Sequence, residues 1–198
     1  KSNELNENTL FIFTSDNGGL STAEGSPTSN RPLRTGKGWL YEGGIRVPTI
    51  FRWEGTIPEK TISDSIMTSA DVFPTVMDAL GELDTHEGQF DGKTLLPVLK
   101  GQEHSLDREA VFWHYPHHSN QGDKPASAIR KGRYKLIEYY ESGRVELFDL
   151  ENDIGETQNL VKELPKRVNE LRNELDAWRK SMGAIPPGPE NPNYDPGP

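Results

Sequence analysis

The sequence predicts an α/β fold, in which the end of an α/β sheet domain is followed by a small antiparallel sheet with a packed C-terminal helix. Three patterns lead to this interpretation. A short apolar run at 10–13 enters a Ser-Asp-Asn-Gly-Gly cluster at 15–19, which is typical of a buried parallel strand that ends in a loop. Short runs rich in aromatic and β-branched residues recur between 110 and 149, separated by turn signals. A helical apolar period over 165–182 predicts the last helix.

Changes of pattern divide the chain into three regions. Residues 1–105 form the first region, with a second strand candidate at 47–53 and a helix in which Asp71 is interpreted as a cap and not as a ligand. Residues 106–183 form a small subdomain that combines the antiparallel strands with the last helix. Residues 184–198 contain six prolines in fifteen positions, which predicts an extended or disordered tail.

The composition argues against several classes of function. The chain has 22 Lys and Arg against 31 Asp and Glu, and this net charge of −9 opposes binding to nucleic acid. No apolar run approaches the roughly 20 residues of a membrane helix, and the absence of cysteine excludes disulfides and thiolate metal sites. The charge is uneven, however, because residues 31–52 hold five Lys or Arg and one Glu, a local excess that suits an anionic ligand.

Two neighbouring motifs are the candidates for a functional site. Asp16 and Asn17 follow the first strand, where α/β sheets carry their ligands, and a carboxylate beside an amide oxygen suits a hard divalent cation. Taken alone, the Asp-Asn-Gly sequence is more typical of an ordinary turn. The second motif places Arg34, Lys37 and Arg46 among glycines, and such a loop can present positive charge and backbone donors to an oxyanion.

Together these motifs carry a resemblance to a known family. Phe-Thr-Ser-Asp-Asn-Gly at 13–18 is followed, 21 residues after Asp16, by Lys37 within Gly-Lys-Gly-x-x-Tyr-Glu-Gly-Gly-x-Arg-Val-Pro at 36–48. This pattern resembles the C-terminal portion of type I sulfatases of the arylsulfatase A and N-acetylgalactosamine-6-sulfatase group, in the alkaline phosphatase superfamily. The resemblance extends, more weakly, to about Gly183.

The resemblance implies a fold, a site and a substrate class. Residues 1–105 are expected to be the C-terminal part of an alkaline-phosphatase-like catalytic domain. Asp16 and Asn17 match two metal ligands, for Ca²⁺ or alternatively Mg²⁺, and Lys37 matches the catalytic lysine that binds the sulfate group. The substrate is then expected to be a sulfated carbohydrate, with His114 and His117 contacting it. A periplasmic or secreted location is also expected by resemblance.

One element of the family pattern is missing. Sulfatases use a formylglycine made from Cys or Ser in a C/S-x-P-x-R motif, and this chain has no cysteine and no such serine motif. The formylglycine is therefore expected upstream, in an N-terminal part of the same polypeptide, and the 198-residue chain alone is expected to be inactive. Two alternatives stay open: a phosphoester or phosphonate hydrolase of the same superfamily, and a noncatalytic module that binds glycans or anions.

Overall fold

The computed structural model describes residues 5–22, 28–83, 88 and 90–188. These residues divide into two compact units, the first within 1–16 and 47–108 and the second within 17–46 and 109–198. In chain order the strands and α-helices are β1 (Phe11–Phe13), α1 (Glu42–Ile45), β2 (Ile50–Arg52), α2 (Val72–Ala79), α3 (Leu96–Leu99), β3 (Ala110–Tyr115), β4 (Ala126–Lys131), β5 (Tyr134–Tyr139), β6 (Val145–Asp149) and α4 (Pro165–Ser181).

The first unit contains a two-stranded sheet. β1 pairs with β2 in antiparallel register, with Phe13 opposite Ile50 and Phe11 opposite Arg52. The prediction of a buried parallel strand is therefore wrong for β1 within the described residues, since Phe11 and Phe13 are each 51% exposed. A buried parallel strand needs parallel neighbours and layers that cover both faces, and this small sheet has neither in the described part of the unit.

The helical part of the first unit is organised around Asp71. Its carboxylate accepts the Thr68 backbone N–H at 2.6 Å as the third residue of a capping box whose N-cap is Thr68. Asp71 therefore caps the 3-10 turn Ser69–Asp71, whereas at the start of α2, where the cap was predicted, its side chain makes no capping hydrogen bond. The carboxylate also accepts the Lys93 N–H and two hydrogen bonds from Arg108. Burial by itself raises the pKa of Asp71, but the hydrogen bonds from Arg108, Thr68 and Lys93 outweigh it, and the net pKa is lowered.

The second unit contains the predicted antiparallel sheet. β3, β4, β5 and β6 are neighbours in that order, and each pair is antiparallel. The β4–β5 and β5–β6 turns contain Gly132 and Gly143, whose φ angles of 58° and 63° lie in the left-handed region. Glycine adopts this region without steric cost, so these two residues explain why the chain reverses there.

The sheet of the second unit is covered on both faces. On one face α4 packs Val168, Leu171 and Leu175 against buried strand residues, and Trp178 stacks on Phe112 with ring centroids 4.8 Å apart. The predicted packing of the last helix on the sheet is thus confirmed. The opposite face is covered by residues that precede the sheet by many positions in sequence. The apolar members of this second core are Leu40, Tyr41, Ala126, Ala128, Ile137, Tyr139, Phe148 and Leu150.

The predicted division into domains stays a prediction. The two compact units are groups of residues with many contacts in this chain, and such groups do not test where the domains begin and end. Of the predicted tail, residues 184–188 have no helix or strand, and residues 189–198 lie outside the described part of the chain. No helix in that described part is both long and apolar enough to cross a lipid bilayer.

Candidate functional site

The backbone of the second unit brings Asn17 and Lys37 onto adjacent segments. Lys37 N–H donates to the Gly19 carbonyl oxygen at 3.1 Å, and Gly18 N–H donates to the Gly44 carbonyl oxygen at 2.9 Å. The segment 17–19 therefore lies along the glycine-rich loop 36–44, with a hydrogen bond near each end of that loop. Asn17 is partly buried, whereas the Lys37 side chain is exposed.

Glycine is required where these segments touch. A Cβ added at Gly18 would overlap the Gly43 carbonyl oxygen, and a Cβ added at Gly36 would overlap the Gly19 carbonyl oxygen. Any side chain at these two positions would push the backbones apart. The glycines of both sequence motifs thus have a common physical role, which is to let the segment that contains Asn17 approach the loop that contains Lys37.

Asn30 joins the same two segments through its side chain. Its Nδ2 donates to the carbonyl oxygens of Gly19, at 2.7 Å, and Thr35, at 2.9 Å, and its Oδ1 accepts the Gly19 N–H at 3.1 Å. An amide side chain has both a donor and an acceptor, so it can bond to a backbone N–H and C=O at once. Sequence reasoning missed Asn30, because an asparagine in a polar loop carries no signal of a specific partner.

The part of the loop that follows Lys37 is anchored to β6 and to the connection between β3 and β4. Leu40 N–H donates to Asp123 Oδ2 at 3.3 Å, and the Tyr41 hydroxyl donates to Glu146 Oε2 at 2.6 Å. Burial raises the pKa of Tyr41 and the pKa of Asp123. Tyr41 also carries the Arg34 guanidinium over its ring, 3.8 Å from the centroid. The loop is therefore held by hydrogen bonds and by a cation–π contact.

His117 lies in the segment that follows β3, which also approaches the loop of Lys37. A Cβ added at Gly38 would overlap the Oγ atom of Ser119, so the residue next to Lys37 is in contact with this segment. His117 is exposed, and its ring meets Tyr115 edge to face at a centroid distance of 5.7 Å. This arrangement favours the prediction that His117 contacts substrate, which stays a prediction.

His114 has a different environment. Its Nδ1 lies 3.1 Å from Ser127 Oγ and 2.7 Å from the Tyr140 hydroxyl, and its Nε2 lies 3.0 Å from the Ile185 carbonyl oxygen. Both ring nitrogens thus have protein partners, and a substrate would have to replace one of them. The predicted substrate contact of His114 stays a prediction, and these hydrogen bonds favour a structural role instead.

Asp16 belongs to the first unit and has an exposed side chain. Its Oδ1 accepts a hydrogen bond from Ser15 Oγ at 3.4 Å. A carboxylate followed directly by an amide suits a hard cation, which prefers oxygen ligands, but Ca²⁺ takes about six to eight of them. No group of three or more His, Asp or Glu side chains suited to a metal ion occurs in residues 5–22, 28–83, 88 and 90–188. Asp16 and Asn17 would therefore supply only part of a coordination shell.

The part of the chain with these features matches a known family. A family model described as N-sulphoglucosamine sulphohydrolase, C-terminal, matches residues 35–181, which include Lys37, the four-stranded sheet and α4. The chain therefore belongs to the sulfatase family and corresponds to a C-terminal region of it. This confirms the resemblance that the motifs predicted.

Individual relatives agree with this assignment. A protein named sulfatase from Formosa agariphila is 37% identical over 192 aligned residues, which cover 90% of this chain and 34% of that protein. Human arylsulfatase A is 30% identical over 205 aligned residues, which cover 87% of this chain and 39% of the enzyme. The chain thus spans a little over a third of the length of these curated relatives.

A solved structure supports the fold class. The structure of BT4656 in complex with its substrate D-glucosamine-2-N,6-O-disulfate superposes with a TM-score of 0.74 and 26% identity, covering 93% of this chain and 37% of that protein. The predicted fold class, an α/β sulfatase fold that ends in an antiparallel sheet and a packed helix, is confirmed.

Proposed function

We propose that this chain is the C-terminal part of an enzyme that hydrolyses sulfate esters of a sulfated sugar or glycan. The observation that carries the proposal is the position of Lys37. It lies on a loop hydrogen-bonded alongside Asn17–Gly19, in a region that the sulfatase family model matches. The sulfated glucosamine bound by the similar protein BT4656 supports a sulfated sugar as the substrate class.

In this proposal Lys37 is the catalytic and sulfate-binding residue of the chain. Its exposed ammonium group neutralises a sulfate oxygen and stabilises negative charge that develops as the ester bond breaks. The local excess of positive charge over 31–52 attracts the anionic substrate in a protein whose net charge is −9. His117 contacts the sugar. His114 also contacts it if the sugar replaces one of the protein partners of the His114 ring nitrogens.

The remaining parts of the site are proposed to come from the upstream polypeptide. Asp16 and Asn17 would provide oxygen ligands to Ca²⁺ or Mg²⁺, and such an ion, when bound, supplies Lewis acidity toward the sulfate oxygens. The other ligands and the formylglycine nucleophile would belong to an N-terminal part of the same polypeptide. That part is also the proposed partner that covers the apolar sheet of the first unit.

The decisive experiment compares the longer polypeptide, with its formylglycine formed, with the 198-residue chain. Sulfate release from 6-O-sulfated glucosamine is measured for wild type, Lys37→Ala and the matched control Lys162→Ala, which removes an exposed lysine elsewhere in the second unit. We expect Lys37→Ala to lower kcat about 10²- to 10³-fold, the control to change little, and the 198-residue chain to show no turnover.

Other outcomes would decide for the alternatives. Faster hydrolysis of the matching phosphate esters than of the sulfate esters would indicate a phosphoester hydrolase. Micromolar binding of a sulfated glycan by the 198-residue chain, lost in Lys37→Ala, would indicate a noncatalytic anion-binding module, because half a site should not bind this tightly. Full activity of Lys37→Ala would contradict the proposed role of the lysine.

A further inference from the structure

Three buried charged side chains meet beneath the loop that carries Lys37. The Lys135 ammonium lies 3.0 Å from Glu42 Oε1 and 2.6 Å from Glu156 Oε1. The side chains of Lys135 and Glu156 are 0% exposed and that of Glu42 is 2% exposed. Lys135 is a residue of β5, Glu42 begins α1, and Glu156 lies in the connection between β6 and α4. Together these three residues form a buried ion triad.

Glu156 contacts both sides of the segment that contains Lys37. Its Oε2 accepts the Glu42 N–H at 2.7 Å, and its carbonyl oxygen accepts a hydrogen bond from Arg34 Nη1 at 2.9 Å. Arg34 precedes Lys37 by three positions and Glu42 follows it by five. One residue of the C-terminal connection thus fixes the two ends of a nine-residue segment with Lys37 inside it.

Glu156 occupies this position at an energetic disadvantage. Its φ of 52° is in the left-handed region of backbone conformation, which residues other than Gly, Asn and Asp seldom adopt. Burial also raises its pKa, an effect that the neighbouring Lys135 opposes. Moving charged groups out of water is so unfavourable that apolar replacements of a buried ion pair are often as stable or more stable. Stability of the fold alone therefore gives little reason for the triad.

We propose that Glu156 is a positioning residue for the sulfate site, because it holds the segment 34–42 on the sheet, together with Lys135, so that Lys37 is presented in one orientation. This inference rests on the proposed function, since it assigns Glu156 a role through Lys37. The competing interpretation is that the triad only stabilises the second unit. The two interpretations differ in which amides and which kinetic constants change when the triad is altered.

Hydrogen exchange on the 198-residue chain tests the anchoring directly. Glu156→Gln removes one charge but keeps the shape of the side chain, and Leu171→Ala is the matched control, which weakens the opposite face of the sheet without touching the loop. In Glu156→Gln we expect the Glu42 amide to exchange about tenfold faster or more, while amides of β4 and β5 keep their protection. Equal acceleration in loop and strands would overturn the proposal.

Kinetics of the longer polypeptide test the effect on Lys37. We expect Glu156→Gln to lower kcat about 10- to 100-fold, as small displacements of a catalytic group do, with little change in KM. In a Lys37→Ala background Glu156→Gln should cause no further loss, since its effect acts through the lysine. An equal loss in both backgrounds, or a loss matched by Leu171→Ala, would overturn the proposal.

The two measurements separate this proposal from the proposed function. If the wild-type longer polypeptide releases no sulfate, the proposed function is wrong and the role of Glu156 at a sulfate site is wrong with it, whatever the exchange shows. If wild type is active and Glu156→Gln is as active as wild type, the proposed function stands and the positioning role is wrong.

Discussion

The two compact units bury their apolar strand residues to very different degrees. In the second unit Ile129, Leu136 and Leu147 are fully buried under α4. In the first unit the strands are equally apolar in sequence, yet Phe11 and Phe13 are each 51% exposed and Ile50 is 55% exposed. The difference lies in what covers the strands, because a helix packs on the larger sheet, whereas the described part of the first unit leaves a face of β1 and β2 in solvent.

The two units should be stabilised in different ways, one mainly by apolar burial and the other more by polar contacts. The second unit has an apolar core made by its own strands and helix, so its stability should depend on buried side-chain volume. The first unit relies more on polar contacts around Asp71, and its apolar sheet should contribute little until something covers it. Substitutions in the two units should therefore differ in cost even where the residue types are similar.

The largest effect is expected in the core between α4 and the sheet. Leu171→Ala removes a side chain that is 1% exposed, and such a cavity lowers the free energy of unfolding by about 2–5 kcal/mol. Urea unfolding of the 198-residue chain measures this change in the free energy of unfolding, and hydrogen exchange of the β4 and β5 amides gives a second measurement. Leu5→Ala, at a position 60% exposed, is the control and should change stability by no more than about 0.5 kcal/mol. Similar costs for both variants would contradict the contrast.

The four-stranded sheet and the last helix of the second unit could be predicted because their signals are local. Alternating apolar residues, glycines at the turns and the helical period of 165–182 each depend on neighbours close in sequence. The pairing of β1 could not be predicted in the same way. Its apolar sequence indicates burial, but its partner, β2, lies well beyond β1 in the chain. No local sequence pattern indicates whether two such distant strands pair in parallel or antiparallel direction.

The site shows the same limit. Asp16, Asn17 and Lys37 could be proposed because their side-chain chemistry and spacing form a recognisable pattern. Asn30 and Glu156 could not, because their roles consist of contacts across 11 and 114 positions with backbone groups that any residue provides. Positioning residues of this kind become visible only when the backbone that they hold is known.

A smaller effect, and one that depends on pH, is expected at Asp71 in the first unit. Asp71→Asn removes the charge that Arg108 pairs with, at 2.5 Å, and should lower the free energy of unfolding by about 1–3 kcal/mol at pH 7. Because the pKa of Asp71 is lowered in the folded state, its contribution is present above the unfolded pKa of about 3.9 and is lost as the pH falls through the folded value.

Urea unfolding between pH 7 and pH 2.5 measures this effect. The difference between wild type and Asp71→Asn should be constant down to about pH 4 and should shrink below it. The control is Asp64→Asn, at an exposed position, which should follow wild type throughout. A difference that grows at low pH would mean that the pKa of Asp71 is raised and not lowered.

The smallest effect on stability is expected on the exposed sheet of the first unit. Replacing Phe11 and Phe13 by serine in the 198-residue chain should change the free energy of unfolding by no more than about 0.5 kcal/mol for each substitution. Self-association, measured by sedimentation velocity, should decrease, because an exposed apolar face of a sheet is a site of contact between molecules. In the longer polypeptide the same substitutions should cost several kcal/mol, since burial of a phenylalanine contributes about that much. Equal costs in both proteins would mean that upstream polypeptide does not cover this sheet, and the contrast between the two units would then be a property of the longer polypeptide as well.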